Sequence, residues 1–129
     1  MKVKFYDEEH ERYFYAFCDM FNEDTDEYHY AVAYLLALDT ECRKHYKDIF
    51  DFDENIIKPE CLTAAWQTGT SSKTTRLMLN LWNGYCSEGE SSEEEQPSDY
   101  YTPYHLFACS YAPYYWQAIK LRYPCYAEE

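Results

Sequence analysis

The chain has 129 residues, 47% of them hydrophobic and 27% charged, with only 3 Gly, a balance that fits one folded domain and leaves too little chain for two. At this length about two-thirds of the unfolded surface can leave water, so a core can form without metal or disulfide staples. Eleven Lys and Arg against 24 Asp and Glu give a net charge of −13, which argues against a non-specific grip on DNA or an anionic membrane and points to basic partners.

Tyr13, Phe14, Phe17, Cys18 and Phe21 recur at helical spacing and predict a first helix from Glu8 to Phe21. Asp24 followed by Glu27 has capping-box spacing, and the run from Tyr28 to Leu38 is apolar nearly all round, which predicts a central second helix. Asp39 is positioned to cap a short third helix through Lys47. Asp48, Asp51, Asp53 and Asn55 then supply turn chemistry before Pro59 opens a fourth helix, closed by Gly69. Ser71 or Ser72 caps a fifth, with Leu77, Leu81 and Trp82 as its buried stripe and Asn83-Gly84 as its end. Residues 87–99 hold six acids, Gly89 and Pro97 with almost no apolar side chain, and predict a mobile acidic loop. Prolines after Thr102 and Ala112 start a short helix through Cys109 and a last one through Tyr123, stopped by Pro124. No strand pattern is convincing. The expected fold is all-α, a compact single-domain bundle over residues 1–129 with about seven mostly short helices.

Sixteen Tyr is a surplus beyond core needs, and Tyr combines large contact area with low rotamer cost, as recognition surfaces require. Six cysteines without paired spacing, and the lack of an apolar signal stretch from Met1 to Asp7, predict a reduced, cytoplasmic protein. The longest apolar run, Ala31 to Leu38, is too short to span a bilayer.

Gln67-Thr68-Gly69-Thr70-Ser71-Ser72-Lys73-Thr74-Thr75 invites comparison with a phosphate loop but lacks its glycine spacing and its preceding strand. What survives is a candidate anion contact at Thr70, Ser71, Lys73 and Arg76, in the one net-positive segment of the chain. Asp51, Asp53 and Asn55 match the start of a calcium loop, yet Ile56 and Leu62 occupy the positions that need Gly and Glu, so turn chemistry is the better reading. Cys42 and His45 share one predicted helical face, and His105 and Cys109 another, which makes zinc a possible ligand if the two pairs meet. No other cofactor is expected. No nucleophile with a base stands out, and the expectation is a protein that is not an enzyme.

The phrases "DIFDFDENIIKPECL", "WQTGTSSKTTRL" and "NLWNG" between Asp48 and Gly84, together with "APYYWQAIKLRYP" near the end, resemble a domain of unknown function from low-GC Gram-positive bacteria. That resemblance implies a bacterial, intracellular protein and assigns no catalytic or binding residue. As a class, small acidic proteins without catalytic motifs are similar to phage and mobile-element inhibitors, including anti-CRISPR proteins, which occupy basic nucleic-acid channels. The leading expectation is therefore an interaction protein that binds a basic protein partner, such as a CRISPR nuclease, without contacting nucleic acid or membrane. Asp7, Glu8, Glu9, Glu11, Asp19, Glu23, Asp24, Asp26 and Glu27 are the candidate contacts, with Glu93, Glu94 and Glu95 as a looser set. The alternatives are a phosphate or small-molecule module at Thr70–Arg76 and a zinc-stabilised adaptor.

Overall fold

The structure, a computed structural model, describes residues 2–22, 25–87 and 98–126. Its organising element is α2 (Glu27–Leu38), in which every residue from Ala31 to Leu38 is buried. A helix apolar on all sides has to be surrounded. On one side it packs against α1 (Glu8–Met20), and on the others against α5 (Gly69–Asn83) and α7 (Ala112–Arg122). Ring contacts pair His10 with Tyr34, Phe14 with Tyr30 and Phe21 with His29, so α1 and α2 run antiparallel. Between α2 and α5 lie α3 (Thr40–Lys44), α4 (Tyr46–Ile49) and the strands β1 (Phe50–Asp51) and β2 (Ile56–Ile57). The short α6 (Pro103–Leu106) precedes α7, and single 3-10 turns occupy Pro59–Thr63, Asp99–Tyr101 and Pro124–Tyr126. The domain is mostly α, with seven α-helices among the described residues, as its composition predicts. None of them is long and apolar enough to cross a membrane.

Several boundaries differ from the sequence reading. The first helix stops at Met20, and its cap is Asp7, whose carboxylate accepts from the His10 amide at 2.8 Å. The cap of α2 is Asp26, with His29 rather than Glu27 in the third helical position; Asp24 lies outside the described residues. The expected third helix breaks at His45, which leaves helical dihedrals and stacks its ring on Trp66 at 4.5 Å. The turn after it joins two strands in an antiparallel hairpin, with Phe50 opposite Ile57. Asp51 accepts from the amides of Asp53 and Glu54, both at 3.0 Å, and Asn55 takes a left-handed φ of 59°, which Asn tolerates better than most residues. This is the turn chemistry expected there, although strands flank it.

The expected fourth helix is only a 3-10 turn, and Gly69 opens α5 instead of closing its predecessor. The reason is a reciprocal cap one residue earlier: Thr68 Oγ1 accepts from the Ser71 amide at 3.0 Å, and Ser71 Oγ accepts from the Thr68 amide at 2.7 Å. Gly84 ends α5 in the left-handed region, φ 77°, with its N–H on the Asn80 carbonyl at 2.8 Å. α6 ends at Leu106, short of Cys109, and α7 at Arg122. Of the acidic stretch 87–99, residues 88–97 lie outside the described residues. At its described edges, Ser87 is buried, and Ser98 donates its amide to the Cys86 carbonyl at 2.8 Å and caps the Asp99–Tyr101 turn.

Candidate functional site

An aspartate stands at each end of α2. Asp39, just past the C-terminus, caps α3: one oxygen accepts from the amides of Glu41 at 2.9 Å and Cys42 at 3.2 Å. Its other oxygen accepts from Thr74 Oγ1 at 3.1 Å, and that hydroxyl in turn accepts from the Tyr115 hydroxyl at 2.6 Å. Asp39, Thr74 and Tyr115 are all buried, so this relay ties α7 to α5 and both to the α2–α3 corner. Every polar atom in it has a partner, which is the condition for holding such groups out of water.

At the other end, Asp26 is exposed. Its Oδ1 accepts from the amides of Tyr28 at 3.0 Å and His29 at 3.2 Å and lies 2.8 Å from His29 Nδ1. Burial pushes the carboxyl pKa up, but these bonds from His29 and Tyr28 outweigh it and hold Asp26 below its ordinary value of 3.8. His29 also reaches Asn55 through Nε2 at 2.8 Å, which locks the start of α2 to the hairpin.

Beside this end opens a cavity of about 500 Å³ lined by Val3, Thr25, Asp26, Glu27, Tyr30, Leu121 and Pro124. The volume is in the range of ligand and side-chain pockets. Among the described residues its lining is mostly apolar, with the adjacent carboxylates of Asp26 and Glu27 and with no Lys or Arg. Among the described residues, neither Asp26 Oδ2 nor the Glu27 carboxylate has a hydrogen-bond or ion-pair partner. The cations next to lining residues in sequence are Lys2 and Lys4, both exposed, with Lys4 lying 5.4 Å from the Tyr114 ring, Lys120, 5.8 Å from the Trp116 ring, and Arg122, which donates Nε to the Leu81 carbonyl at 2.7 Å and stacks on Tyr28 at 3.6 Å.

One wall depends on the N-terminal segment, which is pinned three times. The Lys4 amide donates to Gln117 Oε1 at 2.9 Å, the Tyr34 hydroxyl donates to the Lys4 carbonyl, and the Tyr6 amide donates to His10 Nδ1 at 2.9 Å. Because Nδ1 is an acceptor there, the His10 proton sits on Nε2, which donates to the Tyr34 carbonyl at 2.9 Å. Burial lowers the pKa of this imidazole to about 4, against 6.5 when free.

The expected acidic contacts do not form one row. Asp7, Glu8, Glu9 and Glu11 cluster at the exposed start of α1, whereas Asp26 and Glu27 lie at the start of the antiparallel α2, at the opposite end of the pair. Asp19 is exposed near the end of α1. Glu9 is already engaged, 3.3 Å from Arg43 and 3.6 Å from Arg12. Glu23, Asp24, Glu93, Glu94 and Glu95 lie outside the described residues.

At the expected anion contact, Ser71 is buried and its hydroxyl is taken by the cap and by Gln67 Oε1 at 2.6 Å. The Thr70 carbonyl lies 3.4 Å from the Thr74 hydroxyl, and Arg76 stacks on Tyr100 at 4.7 Å, leaving Lys73 half-buried beside a helix start whose Thr68 and Ser71 amides are already capped. The two half-sites expected for zinc do not converge: among the described residues no group of three or more His, Cys, Asp or Glu is arranged to hold a metal ion. Cys42 packs its thiol against Ser71 and Thr75, and burial, then the charge of Asp39, pushes its pKa well above the ordinary value. His45 faces Trp66, His105 sits between Tyr100 and Tyr104, and Cys109 turns to the Leu106 carbonyl at 3.8 Å.

Sequence reasoning picked out Asp26 and Glu27 but not the cavity beside them. Val3, Leu121 and Pro124 come from opposite ends of the chain, and no periodicity links them. The exposed Tyr30 was one tyrosine among sixteen. No curated protein and no solved structure matches the chain. A family model matches it from residue 1 to residue 129, and the chain therefore belongs to that family, a family of unknown function (DUF6075).

Proposed function

We propose that this protein is a non-enzymatic interaction protein that docks on a basic protein partner, with the cavity at the start of α2 as its contact point. The observation that carries the reading is the placing of two adjacent carboxylates, Asp26 with Oδ2 unpaired and Glu27 without a partner among the described residues, beside a mostly apolar lining in which no described residue is a Lys or Arg. Charge of that kind on a −13 chain steers cationic surfaces toward it, and apolar neighbours give the docked group something to bury against. The partner class we infer is a nucleic-acid enzyme such as a nuclease, whose cationic channel the acidic surface would occupy in place of nucleic acid. On this reading the chain is a cytoplasmic bacterial or mobile-element inhibitor of the anti-CRISPR kind.

The test is inhibition of RNA-guided and DNA-guided nucleases by the purified protein, read as cleavage of a labelled duplex at low and physiological salt. Inhibition that weakens as salt rises is expected. Full cleavage at every protein concentration, with no retention of the nucleases on the immobilised chain, would remove the reading.

A further inference from the structure

The cavity at the start of α2 has chemistry more specific than a negative patch. Its lining joins the apolar side chains of Val3, Leu121 and Pro124 with Tyr30 and Thr25, and its charge among the described residues is that of Asp26 and Glu27. A strongly hydrated ammonium gains little from such walls. A guanidinium is planar and weakly hydrated; it lies flat on ring and aliphatic surfaces while its N–H groups reach carboxylates at the rim. The chain treats Arg43 in this way, over Tyr13 at 4.7 Å with a carboxylate of Glu9 at 3.3 Å, and Arg122 shares the stacking half of the pattern, over Tyr28 at 3.6 Å. The carboxylate-and-tyrosine corner at Asp26, Glu27 and Tyr30 offers the same pair of contacts to an arginine from outside.

We infer that this cavity is a receptor for an arginine side chain of the partner protein, with Glu27 as the pairing carboxylate, Asp26 as a fixed negative charge and Tyr30 as the stacking face. The inference rests on the reading of a basic partner and names the residue through which that partner docks. Among the described residues the Glu27 side chain makes no hydrogen bond or ion pair, whereas Asp26 also holds the helix cap, so Glu27 is the position at which recognition separates from folding.

The experiment is a titration of the isotope-labelled full chain at low salt, followed by amide shifts. The probes are an acetylated Gly-Arg-Gly amide, its lysine and citrulline counterparts, and agmatine as a free guanidinium. Saturable shifts are expected at Val3, Glu27, Tyr30 and Leu121 with the arginine peptide, weaker ones with lysine and none with the uncharged citrulline. Glu27→Gln should keep the spectrum of the folded chain and weaken arginine binding about threefold to tenfold. Tyr30→Leu should weaken arginine more than lysine. Equal response to citrulline, or indifference to Glu27→Gln, overturns the inference. Saturable shifts centred on Glu8, Glu9 and Glu11 would overturn it while leaving the basic-partner reading intact; no shift with any cationic peptide would end both. Agmatine binding about a hundredfold tighter than the peptide would assign the cavity to a small free cation and overturn the docking role.

Discussion

The two ends of α2 hold the same kind of residue in the same kind of task and differ in everything else. Asp39 and Asp26 each cap a helix with one carboxylate oxygen. At Asp39 the second oxygen is consumed by Thr74 inside a buried relay; at Asp26, which lines the cavity, it has no partner among the described residues. The first is an interior staple and the second an exposed charge with a fixed position. A carboxylate becomes available for recognition when the fold satisfies only part of its hydrogen-bonding capacity.

The sharpest way to break that contrast is Asp39→Ala. It removes two cap bonds and the buried bond from the Thr74 hydroxyl, so urea unfolding should show a loss of about 3 kcal/mol. Binding of the arginine peptide by the fraction that remains folded should not change. A loss under 1 kcal/mol would mean that the relay is not a staple.

Acid should separate the two ends from the helix between them. His10, which donates to the Tyr34 carbonyl in mid-α2, is held neutral; its folded pKa near 4 lies below the unfolded 6.5. A base that resists protonation when folded contributes stability that is complete above pH 6.5 and is lost as pH falls toward 4, by about 3 kcal/mol at the limit. Asp26, lowered from 3.8, keeps its contribution until the pH falls below that value. The chain should therefore lose stability in two steps, the upper one abolished by His10→Gln. A pH profile that is flat from 7 to 4 would contradict the buried neutral imidazole.

Smaller effects belong to the exposed end. Asp26→Ala should cost about 1 kcal/mol through the lost cap, while also weakening arginine binding. Glu27→Gln should leave stability within about 0.5 kcal/mol by thermal unfolding, although it weakens binding. If Glu27→Gln destabilised the fold as much as Asp39→Ala, the distinction between staple and recognition charge would collapse.

Much of this architecture is legible in local chemistry. The unbroken apolar run of α2 demands a central position, the apolar spacing of α1 marks its buried face, and Asn83-Gly84 and Pro124 stop their helices. The errors lie where two local signals compete. Thr68 and Ser71 form a reciprocal cap that makes Gly69 a helix start, and the acidic turn closes a hairpin because Phe50 and Ile57 are buried together.

Helix positions, the acidic surplus and the capping aspartates are properties of neighbours along the chain, and periodicity and side-chain chemistry suffice to find them. Whether a given carboxylate ends up buried, paired or free depends on contacts between segments far apart in the chain. Thr74 reaches Asp39, Arg43 reaches Glu9, and Leu121 and Val3 meet beside Glu27 only after the helices pack around α2. Pattern within a segment carries no information about which distant segment will face it, so the cavity and its unspent charge exist only in the folded chain.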